Sequence, residues 1–155
     1  MIYVSTKIKK ASAQALEAED IDAGAFTMTK PAGLVNIVSP GRGLLFHAYT
    51  REFADDAPQF PKAEATVRVA ESTDLSDAVE ELKRSGGHVA YEKKDDVGVS
   101  LRIDRTEQGT MLCSSYRLIQ NDGRVYQFRF DTPEGCKDEF GPAVREMSDS
   151  FAIKK

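Results

Sequence analysis

Residues 97–151 read VGVSLRIDRTEQGTMLCSSYRLIQNDGRVYQFRFDTPEGCKDEFGPAVREMSDSF, and the reading of this stretch decides the fold. Val97, Val99, Leu101 and Ile103 alternate with Gly98, Ser100, Arg102 and Asp104. A period of two places the four apolar side chains on one face of a strand. Arg105-Thr106-Glu107-Gln108-Gly109 is polar and ends in glycine, so it reads as a hairpin loop. Thr110–Ile119 reads as a second strand, with Leu112, Tyr116 and Leu118 on one face and Met111, Cys113 and Ile119 on the other. Asn121-Asp122-Gly123 is the strongest turn signal in the chain, because these residue types tolerate positive φ at low cost. In a third strand Tyr126, Phe128 and Phe130 alternate with Val125, Gln127 and Arg129, and Pro133-Glu134-Gly135 ends it. Phe140, Val144, Met147 and Phe151 then recur at spacings of four, three and four, one stripe of a helix. Pro142 is expected in the first turn of that helix, where no backbone donor is needed.

A meander that is apolar on both faces must be covered on both. The closing helix covers one face, so the earlier chain must supply the other cover. The expected fold class is α+β, an antiparallel sheet with helices on both faces.

The earlier chain offers that cover. Leu75–Ser85 has an apolar stripe of Leu75, Ala78, Val79 and Leu82, with Thr73 or Asp74 to cap it and Gly86-Gly87 to end it. Acidic Asp77, Glu80 and Glu81 lie early, and Lys83 and Arg84 suit the last turn. Leu44–Phe53 is the longest strand expected in the first half, and Ala65–Glu71 is a strand or the start of a helix. Ala54–Lys62, with Asp55, Asp56, Pro58 and Pro61, reads as a loop. Ala25–Thr29 and Leu34–Val38 read as the two halves of a hairpin around Lys30-Pro31-Ala32-Gly33. Ile2–Ile8 alternates as a weak strand. Ala11–Asp20 is either a short helix or a flexible lead. The expected organisation is a lead strand or extension over 1–23 and a single domain over 24–155.

Length and charge narrow the function. At 155 residues the chain suits one domain with an ordinary core. No apolar run approaches a membrane span. A net charge of −4 argues against general nucleic-acid binding. Residues 1–10 carry charges and no apolar signal core, so the expected compartment is the cytoplasm, or the periplasm and cell envelope if a leader has been removed. Cys113 and Cys136 can form a disulfide but nothing requires it.

The residues also resemble a known group. The hairpin Phe26-Thr27-Met28-Thr29-Lys30-Pro31-Ala32-Gly33, the mid-chain helix ending in Gly86-Gly87, the meander ending Gly123-Arg124-Val125-Tyr126-Gln127-Phe128 and the closing Phe140…Met147-Ser148-Asp149-Ser150-Phe151 are similar to the PsbP-like superfamily. That group includes the extrinsic P subunit of photosystem II, the Ran nucleotide-release factor, bacterial envelope lipoproteins and adaptor chaperones of type VI secretion effectors. The Pro-x-Gly turn and the terminal Asp-Ser-Phe carry the likeness, which covers roughly residues 24–153. An aromatic often follows the Pro-x-Gly in that group, whereas Leu34 stands here. The resemblance implies an α/β/α sandwich that binds other proteins and is not a catalyst. No partner motif matches, so no binding residue carries over.

Individual residues support no chemistry. His47 and His88 lack partners at ligand spacing, and Cys113 is mid-strand with nothing to lower its pKa. Asp55-Asp56 and Asp95-Asp96 lack the ligand spacing of a calcium loop. Gly41-Arg42-Gly43 and Gly86-Gly87 are not phosphate loops. No acid/base pair, nucleophile constellation, metal set or cofactor motif assembles, so an enzyme is not expected. The expected function is a non-catalytic protein-binding module of the bacterial envelope or of secretion, of adaptor, chaperone or immunity type. Arg42, Asp55, Asp56, Gln59 and Phe60 are the candidate partner-binding residues, in loops at one end of the sheet; a sheet face left open to take an apolar segment is the other expected route. The alternative is a small-molecule or metal-binding module with a pocket between sheet and helix.

Overall fold

The computed structural model describes residues 17–154 apart from 38, 39 and 42. The strand expected at Ile2–Ile8, most of Ala11–Asp20, and Arg42 lie outside the described residues.

The meander forms as its alternation predicts. Strands β9 (Gly98–Glu107), β10 (Thr110–Asn121) and β11 (Arg124–Pro133) pair antiparallel in sequence order. Both connections are two-residue turns with positive φ at each central residue: Gln108 and Gly109 at 51° and 78°, Asp122 and Gly123 at 53° and 75°. That pattern matches the twist of the flanking strands. The first turn is a correction, since β9 runs on through Arg105-Thr106-Glu107 and only Gln108-Gly109 loops. Polar residues there are strand residues on faces with little cover, not loop residues.

Four more strands complete a seven-stranded antiparallel sheet of order β3-β4-β7-β11-β10-β9-β8. They are β3 (Val35–Asn36), β4 (Leu44–Tyr49), β7 (Glu64–Val69) and β8 (His88–Lys94). A three-stranded sheet joins β1 (Glu19–Asp22), β2 (Phe26–Lys30) and β12 (Ala152–Ile153). The expected hairpin between β2 and β3 does not form. Pro31 and Gly33, at φ 99°, turn the chain out of the smaller sheet into the larger, and β2 pairs instead with β1 and β12. The expected loop at Ala54–Lys62 is a second correction. Phe53–Ala54 (β5) and Ala57–Pro61 (β6) form their own two-stranded hairpin.

Each face of the large sheet has a helix, displaced to opposite halves. Helix α1 (Leu75–Arg84) packs Leu75, Ala78, Val79 and Leu82 on Val99, Leu101, Ile103, Tyr116, Leu118 and Val125. Asp74 caps it, its Oδ2 accepting from the Asp77 N–H at 3.1 Å. Helix α2 (Lys137–Ser150) follows a 3₁₀ turn at Glu134–Cys136 and covers the other face with the three-stranded sheet. Pro142 therefore stands inside α2, where it forgoes one bond to the Asp138 carbonyl, and not in the first turn. Phe151, at the end of α2, lies 5.5 Å from Phe26 and 5.9 Å from Phe128 between ring centroids. Ser150 Oγ accepts from the Thr29 N–H at 2.8 Å, so Asp-Ser-Phe locks helix to sheet.

The displacement of the helices leaves half of each face without a helical cover. On the face of α2 the open half is held by a staple. Buried Arg117 reaches Asp95 through two bonds of 2.8 and 3.0 Å, and Asp95 also accepts the Val97 and Gly98 N–H groups. Asp95 is thus a turn-forming residue, with its carboxyl held well below the usual range by Arg117 and by those amides.

Candidate functional site

The open half of the α1 face forms a trough of about 320 Å³. Its floor is built by register. His47, Thr66, Arg129 and Tyr116 form one row across β4, β7, β11 and β10, and Glu64, Asp131 and Ser114 form the next. These side chains share one face because directly paired residues do. Phe60 and Pro61 of β6 wall one side.

The charges of the floor hold one another. His47 Nε2 lies 2.7 Å from Glu64 Oε2. Asp131 meets Arg129 Nε at 2.9 Å and accepts from Ser114 Oγ at 2.6 Å. The Arg129 guanidinium also lies over the Tyr116 ring, 5.7 Å from its centroid. Burial pushes the Asp131 carboxyl up to about 6, against the pull of the Ser114 hydroxyl and the Arg105 charge. Arg105 Nε is buried with no hydrogen-bond partner among the described residues, and its nearest carboxylate, on Glu107, is 3.9 Å away.

The β5–β6 hairpin separates this trough from a cleft of about 350 Å³ on its other side. The sequence candidates divide between the two. Phe60 lines the trough, whereas Asp55 and Asp56 line the second cleft with Glu134, Cys136 and Glu139. Gln59 Nε2 reaches Thr110 Oγ1 at 3.3 Å and the Gln108 carbonyl at 3.5 Å, and so ties β6 to the β9–β10 turn. Cys113 and Cys136 are free, so the disulfide left open by the sequence is not formed. Cys113 sits under the sheet face near Arg102, and Cys136 opens into the second cleft. Burial pushes the Cys136 thiol up, with Glu139, Asp55 and Asp56 adding to the rise.

Sequence reasoning missed Glu64, Arg129 and Asp131. The available signal was the alternation of β11, whose Gln127, Arg129 and Asp131 all face away from the aromatic stripe. Among the described residues, no group of three His, Cys, Asp or Glu could hold a metal ion. No described helix is long and apolar enough to cross a membrane.

No protein-family model and no curated protein matches the sequence. Solved structures do match the fold. The Ran-binding protein Mog1p of Saccharomyces cerevisiae aligns at a TM-score of 0.60 and 14% identity, over 89% of this chain and 96% of its own. LpqN, involved in cell envelope biogenesis of Mycobacterium tuberculosis, aligns at 0.60 and 12%, over 90% and 91%. Cyanobacterial PsbP from Synechocystis aligns at 0.54 and 13%, over 90% and 93%. Identities this low speak for architecture alone. The chain therefore shares its fold with Mog1p, LpqN and cyanobacterial PsbP, and in this chain that fold is an antiparallel sheet with a helix on each face.

Proposed function

We propose that this chain is a non-catalytic protein-binding module that grips its partner at the β5–β6 hairpin. The observation that carries this reading is the charge pairing of the trough. Glu64 is held by His47, and Asp131 by Arg129 and Ser114. Side chains held in this way are fixed in orientation and can recognise a partner's polar groups without reordering. The exposed hairpin supplies Phe60 on one side and Asp55 and Asp56 on the other, an aromatic anchor beside polar rim groups. The fold likeness to a Ran-binding protein supports a protein partner. The likeness to LpqN, involved in cell envelope biogenesis, supports an envelope setting, and a secretion-associated adaptor, chaperone or immunity role is part of the same proposal.

The test is site-specific photo-crosslinking in the native host, with the reactive group at Phe60, at Asp56 and, as control, at Glu80 on α1. The same partner protein at both hairpin positions, absent at Glu80 and rebinding as a purified pair, is the expected result. Hairpin positions that capture nothing beyond the control refute the reading. Osmotic-shock fractionation of the same cells tests the compartment, with periplasmic recovery expected.

A second reading follows from the size of the trough, which lies within the usual range of small-molecule pockets. A ligand that co-purifies and is released on unfolding would favour it.

A further inference from the structure

Two adjoining clefts carry an excess of carboxylates in their linings. The second cleft shares Lys62 and Glu139 as a common wall with a third, of about 600 Å³, between α2 and the turns at 31–33 and 50–52. Together their linings hold six carboxylates, Asp55, Asp56, Glu134, Glu139, Glu52 and Glu146. Against these stand two cations, Arg51 and Lys62, and Lys62 is already tied to Glu52 at 2.9 Å. The lining is therefore four charges negative.

The same clefts have apolar surface between the charges. Met111 supplies it in one, where Ala54, Ala57 and Pro133 lie buried beneath, and Phe140, Pro142 and Ala143 supply it in the other. Met111 is 39% exposed. Apolar surface edged by a single sign of charge fits a segment that is apolar on one side and cationic on its flanks.

We propose that the paired clefts along the first turns of α2 dock a basic amphipathic segment of a partner protein. This rests on the protein-binding reading and names the chemistry of what is bound. Apolar side chains of the segment lie on the Met111, Phe140 and Pro142 surface, and its lysines or arginines meet Asp55, Asp56 and Glu139. Steering by the collected charge speeds encounter and makes it salt-sensitive.

The probes are three fluorescein-labelled synthetic peptides of equal length: alternating Leu/Lys, Leu/Glu and Ser/Lys. Fluorescence anisotropy is read on the full chain at low and physiological salt. The Leu/Lys peptide is expected to bind, more weakly as salt rises; the Leu/Glu peptide is expected not to bind. The Ser/Lys peptide, lacking apolar contacts, is expected to bind about tenfold more weakly. Replacing Asp55→Asn, Asp56→Asn and Glu139→Gln together raises Kd about tenfold, as three rim charges should. The charge-matched control on α1, Asp77→Asn, Glu80→Gln and Glu81→Gln, changes Kd by less than about twofold. Far-UV circular dichroism checks that both triple variants are folded. Equal losses in the two variants, or no loss in the first, overturn the proposal. So do dimers of the chain that disappear in the first variant, because the clefts would then take a second copy. A hairpin crosslink that persists while the Leu/Lys peptide fails to bind sinks this inference and leaves the protein-binding reading standing.

Discussion

Asp131 is expected to make the protein less stable as pH rises from about 4 to about 6. Its carboxyl is 18% exposed and sits between Ser114 and Arg129 on the trough floor. Burial raises its pKa from 3.8 to about 6. Between those values the folded chain holds a proton that the unfolded chain has released. Stability from this group is thus full below 3.8 and falls as pH climbs through about 6. At 1.36 kcal/mol per pH unit the loss amounts to about 3 kcal/mol. Urea denaturation of the native protein and of Asp131→Asn, from pH 4 to pH 7.5, isolates it. Asn cannot titrate, so the variant should gain on the native protein by about 3 kcal/mol across the window, whatever the constant offset from its altered hydrogen bonds. Other titrating groups are common to both proteins and largely cancel. A difference that stays flat, or one that runs the other way, would refute the reasoning, since the reverse slope means that the Arg129 ion pair outweighs burial.

Four other predictions follow from the geometry. Gly98→Ala places a Cβ 2.1 Å from the Leu118 carbonyl oxygen where β9 begins beside β10, and should cost about 3 kcal/mol by urea denaturation, with a loss under about 1 counting against the packing described. Asp74→Ala removes the cap of α1 and should cost about 1 kcal/mol, while Asp74→Asn, which keeps an acceptor, should cost little. Ellman's reagent should find two thiols in the unfolded, unreduced chain; in the native chain Cys136 should react slowly and Cys113, 4% exposed and with its thiol pushed up by burial, more slowly still. Asp95 acts with the opposite sign to Asp131: its folded pKa is depressed, so its contribution is present above 3.8 and is lost as acid titrates it, which Asp95→Asn should abolish in an acid-denaturation series.

Local pattern was enough to place the meander, both helices and the covering of both faces. Alternation and helical stripe are properties of neighbouring residues, and burial then follows from them: Leu101, Phe128 and Met147 are each nearly or wholly enclosed. The turn at Asp122-Gly123 was legible for the same reason, since its residue types answer a local φ demand. Pairing between distant strands was not legible. Whether β2 joins β3 or β1 depends on which edge is free once α2 has docked, and nothing near Phe26 reports that. The hairpin at Phe53–Pro61 escaped notice because its two prolines and two aspartates read as loop chemistry.

From the sequence alone came an α+β sandwich, a chain without catalytic spacing, and a suspicion that Asp55, Asp56, Gln59 and Phe60 meet a partner. Only the tertiary structure decided that Phe60 faces one cleft while Asp55 and Asp56 face another, and that Glu64, Arg129 and Asp131 share a floor. The reason is one of range. Periodicity is written into adjacent residues, whereas a cleft and its electric field are sums over strands and helices that meet only when the chain is folded.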